Sequence, residues 1–528
     1  MTHGTPARIA IAVAVLGGCE EARSPCTLAG DDLARSCRLE LAVIDSDGRV
    51  RLAPAGAEGR ATHGTIACEL SFITPVQAIT LRDPDAPVIA PPESAYPSWG
   101  VVFTDIVTQV RFRHKDGSVG EWLPRDVLSG GDFADSDASG IPDLTRVLVG
   151  PDPGWSYYAD VATFGPPPPD AWFTLASRGD FASAAELPSV ASDTLHLGPA
   201  RDGVQYLATM AKTLIPPETT WTLSGWNRYD VPGIPGVMSR FNEIDLTGDP
   251  ITKYALVADD VVHVPTGSTG WTWRAFTFTT EPATVGLTIV PARVNATAGA
   301  MWAAGWELRE QPVYGHGKVV FAADFTSLDP WEASDPTNTH AIAIGGVDAL
   351  ELDPPPHEIA TATSRAMIPV TGGRLYAFHV AMENRAFVNY DRTHDTWVTC
   401  YLEFYDAQGV FLDYVKTQAT RPVFERPVGA AMIAPPNAQF ARFVLVAAHT
   451  SFAPNPIDKT MSARFGALWL EESTYDPAFE TRPSGWTLSP PADPDATALE
   501  IRSRLLSHDR VATPSFGGYE ITSAGCKP

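Results

Sequence analysis

The sequence predicts an all-β, multi-domain chain: a β-rich N-terminal anchoring region, then two β-sandwich modules in tandem. Three observations carry this. Charged residues are only 19% of the chain, while Pro (47), Gly (42) and aromatic residues are frequent, the composition of short strands joined by tight turns. Apolar and polar residues alternate over runs such as Trp221-Thr-Leu-Ser-Gly-Trp226 and Gly270-Trp271-Thr-Trp273-Arg-Ala-Phe276-Thr-Phe278. That period of two belongs to strands with one buried face. Asp-Gly turns separate several such runs, and helical heptads are absent.

At 528 residues the chain has room for about three or four domains. Its formal net charge of −24 repels a polyanion, and no basic stripe interrupts it, so nucleic acid is excluded as a partner. Solubility is the plain reading of that charge. Neutral or cationic glycans remain compatible with it. The six cysteines (Cys19, Cys26, Cys37, Cys68, Cys400, Cys526) form no C-x-x-C pair and have no histidine at zinc spacing. The four within the first 70 residues could make one or two disulfides, or stay as buried thiols.

Residues 1–150 read as the anchoring or docking region. Ile9 to Val15 alternate bulky residues with alanines, which suits a strand. The same stretch, ending Leu16-Gly-Gly-Cys19, also reads as a signal and lipobox, which would make a bacterial surface lipoprotein. The strand is preferred, and the stretch is too short to span a membrane as a helix. Hairpins follow around Ser46-Asp47-Gly48 and Lys115-Asp116-Gly117. In Asp132 to Asp143 the oxygen side chains of Asp135, Asp137, Ser139 and Asp143 surround Gly140. They resemble a calcium loop, which would make Ca²⁺ a cofactor. A polar linker is the preferred reading, because Ser139 stands for the third carboxylate and the motif occurs once.

Residues 151–169 form a linker that includes the stiff run Gly165-Pro-Pro-Pro-Pro. The first module spans 170–312 and closes with Met301-Trp302-Ala-Ala-Gly305-Trp306-Glu-Leu308-Arg. The second, 313–472, opens with Val319-Val-Phe-Ala-Ala-Asp324-Phe325 and Trp331. It contains the hairpin Trp397 to Tyr405, Asp406-Ala-Gln-Gly409, Val410 to Leu412. Residues 473–528 read as irregular, with one short amphipathic helix over 496–507.

The Gly-Trp, Gly-Trp-x-Trp and Trp-x-x-Gly-Trp-x-Leu order of the first module resembles carbohydrate-binding modules of the jelly-roll type. The strand, Asp-x-x-Gly, strand and Ala-Pro-Pro-x-Ala pattern of the second is similar to adhesin modules of phage tail fibres. The resemblance implies a virion appendage (tail fibre, baseplate or head fibre) attached to host-surface polysaccharide and to other virion proteins. It also implies homo-oligomers, no membrane insertion and no catalysis. No G-x-S-x-G, H-E-x-x-H or P-loop motif occurs. A depolymerase is the third reading, after the lipoprotein. A purely structural virion protein, whose sandwiches touch only neighbouring subunits, is the fourth.

Sugar rings stack their C–H faces on exposed aromatics while polar groups fix the hydroxyls. The candidates are Trp226, Tyr229, Trp271 and Trp273 with Asn227, Arg228 and Asp230 in the first module. In the second they are Tyr390, Arg392, His394 and Trp397 with Asn389 and Asp391. Trp302 and Trp306 read as core, since Glu307 and Arg309 take the outward positions of that strand.

Overall fold

The computed structural model describes residues 26–56, 59–71, 76–86, 88–90, 101–128, 145–151, 159–160, 173–177, 193–197, 204–210, 213–229, 237–246, 251, 254–258, 270–293, 301–355, 358–385, 394–419, 424, 427–451, 462–478, 486–508, 510 and 513–523. Among them a six-residue helix, Asp31–Ser36, and a 3-10 turn, Pro336–Asn338, interrupt an otherwise β architecture. None of the described helices is long and apolar enough to cross a membrane.

The two ends of the chain build one sandwich together. Its five-stranded sheet runs Cys37–Glu40, His63–Ser71, Ala496–Ser507, Val101–His114, Val88–Ala90. The facing four-stranded sheet runs Cys26–Leu28, Tyr519–Ser523, Val76–Leu81, Thr487–Leu488. Residues 496–507, expected to be helical, are therefore a twelve-residue strand at the centre of a sheet. Leu499, Ile501, Ser503 and Leu505 are buried on one face, and Glu500, Arg502 and Arg504 alternate with them. Pairing with a neighbour on each side satisfies the whole backbone ladder of that strand, which outweighs its helical propensity. The C-terminal segment is thus not an irregular tail: it completes the N-terminal core of Leu52, Ile66, Ile79, Val110 and Phe516. A disulfide between the cross-strand partners Cys37 and Cys68 ties the edge strand to its neighbour, and Cys400 is a buried free thiol.

Ala42–Ile44 and Val50–Leu52 pair as a separate two-stranded sheet against that core, and the strands between the two ends form two sandwiches that share a sheet. In the first sandwich one sheet has seven strands, among them Thr145–Pro151, Val204–Met210, Gly286–Arg293, Val237–Ile244 and Tyr254–Ala258. This sheet starts upstream of residue 170. The second sandwich has a six-stranded sheet centred on Phe440–Ser451 and His394–Tyr405. The opposing layer of both is a single eleven-stranded sheet. Its middle runs Met301–Arg309, Thr220–Tyr229, Thr272–Thr279, Pro427–Ile433, Leu375–Asn384, Ala463–Glu472.

The seam lies between Thr272–Thr279 and Pro427–Ile433, where Arg274 pairs with Met432 and Phe276 with Ala430. The inner face of the first sandwich is aromatic: the Phe241 ring lies 5.3 Å from Phe276 and 5.0 Å from Phe278. The hairpin between Tyr405 and Phe411 turns at Gly409 with φ +77°, where Asp406 accepts the Gln408 and Val410 amides. A side chain at that position would be strained, so glycine is required there.

Candidate functional site

Strands alternate their side chains, so Trp271, Trp273 and Ala275 face away from the Phe276–Phe278 core. Their neighbours on this outer face are Trp226, Ala304, Leu375, Ala377 and Ala431. Two connectors lie across it. The chain between the sandwiches is pinned where Thr222 Oγ1 donates to the Gln311 carbonyl at 2.6 Å and the Val313 amide donates to Thr277 Oγ1 at 2.9 Å. The chain leaving the last strand places Tyr475 5.9 Å from Trp273, and Arg309 donates to the Asp476 carbonyl at 2.9 Å.

These covers decide which expected residues reach solvent. Trp226 keeps 5% of its surface, Trp273 1% and Asn227 none, so these three are core residues and not rim contacts. Glu307 and Arg309, expected to face solvent, each keep 1% and form an ion pair with each other. Their side is sealed by residues 473–478 and by the Asp126 loop. Asp126 Oδ1 accepts the amides of Leu128 (2.8 Å) and Leu308 (2.9 Å). Burial, reinforced by the Glu307 charge, pushes the Asp126 carboxyl well above its ordinary range.

Toward the end of the same face, three side chains are half-buried: Trp271, Arg228 and Trp302. Arg228 and Trp302 are cross-strand partners, and the guanidinium stands 5.3 Å from the indole centroid, within cation–π reach. Trp302, which the sequence places in the core, is thus only half-buried. Its position opposite Arg228, two residues before the buried Ala304, carried the signal. Trp306 is core as expected: it is fully buried. A Cβ built on Gly225 would lie 2.0 Å from its Cδ1.

Farther along this face, in the second sandwich, His379 stacks on the half-exposed Trp469 with centroids 3.8 Å apart. Tyr314 meets the His379 ring edge-on at 4.8 Å. Burial lowers the His379 pKa, with the hydrogen bond to the Ala467 carbonyl (2.8 Å) acting against it. The Glu471 carboxylate accepts the amides of Gly315 and His316. Glu307 and Glu471 are thus both engaged in holding the fold.

Tyr229 lies in the strand beside Met301, and Trp397 and His394 in the strand beside Ala448 and Ser451. Their side chains lie outside the described residues. Asp230, Asn389, Tyr390, Asp391, Arg392 and the loop bearing Asp135, Asp137, Ser139 and Asp143 also fall outside them. Among the described residues no group of three or more His, Cys, Asp or Glu is placed to hold a metal ion.

No family model matches the chain, and no curated protein matches it. The architecture defines a class, the tandem β-sandwich protein, and similar solved structures exist. One is the CBM22-1–CBM22-2 tandem of Xyn10C from Paenibacillus barcinonensis, at 11% identity over 57% of this chain and 90% of that one, TM-score 0.23. Another is the enzymatically active domain of tailspike protein 4 of bacteriophage CBA120, at 10% identity over 35% and 21%, TM-score 0.24. A third is TmCBM61 in complex with β-1,4-galactotriose, at 12% identity over 28% and 91%, TM-score 0.20. At these identities and TM-scores the likenesses carry no argument about function.

Proposed function

We propose that this chain is a non-catalytic glycan-binding protein whose working surface is the open end of the outer face of the shared sheet. One observation carries the reading: Trp271, Trp302 and Arg228 stay half-buried at one end of a face on which Trp226 and Trp273 are sealed. The part of each half-buried indole that reaches solvent offers an apolar plane to sugar C–H faces, and the guanidinium over Trp302 adds charge beside it. Trp469 extends the same kind of surface in the second sandwich.

In this reading the protein is a phage tail-fibre, baseplate or head-fibre component that binds host-surface polysaccharide. It works as a homo-oligomer docked on other virion proteins, so weak single sites add through copy number. Ca²⁺ at Asp135, Asp137, Ser139 and Asp143 belongs to the proposal as an optional ligand of the loop before the first sandwich. A glycan array with the intact protein tests the central part. Binding to at least one polysaccharide, weakened in Trp271→Ala, supports it. Immunogold labelling of purified particles tests the virion placement.

The exposed apolar residues Val319, Val320 and Val347 favour a second reading, in which the sandwiches contact only neighbouring subunits. Silence across the array together with a stable oligomer would favour that one.

A further inference from the structure

The terminal sandwich carries a groove that the outer-face site does not use. It lies where the turn after strand Val101–His114 faces the proline-rich chain leading into strand Ala496–Ser507, and its volume is about 340 Å³. Phe112, Leu123, Pro491 and Pro494 give it apolar walls, while Glu121 and Asp493 supply carboxylates. His114 joins the two sides. Its Nε2 lies 2.8 Å from Asp493 Oδ2, and its Nδ1 lies 2.9 Å from Ser118 Oγ. Two acids line the groove; Glu121 has the Arg125 guanidinium 3.9 Å away, and Asp493 Oδ1 also accepts the Asp495 amide at 3.0 Å.

We infer that this groove binds a protonated amine carried on a compact body of monosaccharide size. The apolar walls take the C–H surface, and the ammonium group lies between the carboxylates of Glu121 and Asp493. The volume sits at the small end for ligand pockets, which fits a single ring and not a long chain. Prolines on one wall and the His114–Asp493 bond hold the groove open before binding, so little ordering opposes the ligand. Two kinds of molecule share this chemistry, a non-acetylated hexosamine and a simple cyclic amine. The inference does not rest on the glycan reading of the outer face.

Saturation-transfer NMR on the full chain near neutral pH tests it, with glucosamine, N-acetylglucosamine, cyclohexylamine and cyclohexanol as probes. Both amines should receive saturation and their neutral counterparts should not. Transfer to glucosamine alone would assign the groove to an amino sugar and also support the inference. Glu121→Gln, which leaves the His114–Asp493 bond in place, should weaken amine binding about three- to tenfold. Asp493→Asn should do so at least as strongly, with folding checked by circular dichroism. Equal transfer to glucosamine and its acetylated form, transfer to neither amine, or unchanged affinity in Glu121→Gln would overturn it. Polysaccharide binding by the outer face should be the same in Glu121→Gln and wild type, so the two proposals fail separately.

Discussion

The Arg274 guanidinium and the Asp413 carboxylate meet at 2.6 Å across the seam between the two sandwiches, with 4% and 10% of their side chains exposed. Arg274 belongs to the shared sheet and Asp413 to the opposite layer of the second sandwich, so the pair couples layers as well as modules. Leaving one member of a buried pair alone is costly. Arg274→Met should therefore destabilise by about 3–5 kcal/mol in urea unfolding. The double variant Arg274→Met/Asp413→Asn, which keeps an acceptor for the Tyr414 amide, should recover most of that loss. A single variant as stable as wild type would show that the seam does not depend on this charge pair.

Gly225 lies under Trp306 so closely that a β-carbon would fall 2.0 Å from the indole. The ring cannot move away, because it is fully buried. Gly225→Ala should cost about 1–3 kcal/mol through overpacking, read as a lower thermal midpoint with tryptophan fluorescence as the probe.

Leu499 sits in the core of the terminal sandwich, on a strand contributed by the far end of the chain. Leu499→Ala should cost about 2–5 kcal/mol. The loss should fall on the N-terminal residues: hydrogen exchange should quicken in 63–71 and 101–114 and stay unchanged in 440–451. Exchange that rises uniformly would count against a separate terminal core.

The pH response has opposite signs at two nearby acids. Burial and then Glu307 raise Asp126 above its ordinary 3.8, so the folded chain holds a proton that the unfolded chain releases. That contribution is full below the ordinary value and is lost as pH rises through the folded one. Asp126→Asn should thus raise the thermal midpoint at pH 8 relative to wild type and change it little at pH 4. At Glu310 burial acts upward, but Arg504 and Arg502 outweigh it and lower the pKa. Its contribution is present above its ordinary value of 4.5 and lost as pH falls, so Glu310→Gln should be harmful at pH 8 and nearly silent in acid. Parallel pH profiles for the two variants would contradict these assignments.

The strand runs over 220–229, 272–279 and 301–309 and the turn at 406–409 were legible in the sequence, because alternation and Asp-x-x-Gly are local signals. Strand 496–507 was missed although Leu499, Glu500, Ile501, Arg502, Ser503 and Arg504 do alternate. Leucines and alanines also fit helical spacing there, and a far-off partner decided the outcome. The seam was not legible, since Phe276 and Ala430 are paired by long-range register alone. For the same reason Glu307 was read as exposed: the residues that seal it, Asp126 and the 473–478 segment, lie far away in sequence.

In the proposed function, sugar is held at the end of the outer face by the half-buried indoles of Trp271 and Trp302. Affinity electrophoresis of wild type and the double variant Trp271→Ala/Trp302→Ala, in gels containing the polysaccharide found on the array, tests this most directly. Retarded wild type and an unretarded double variant with an unchanged thermal midpoint is the predicted result. Equal retardation of the two would place the binding surface elsewhere and contradict the claim.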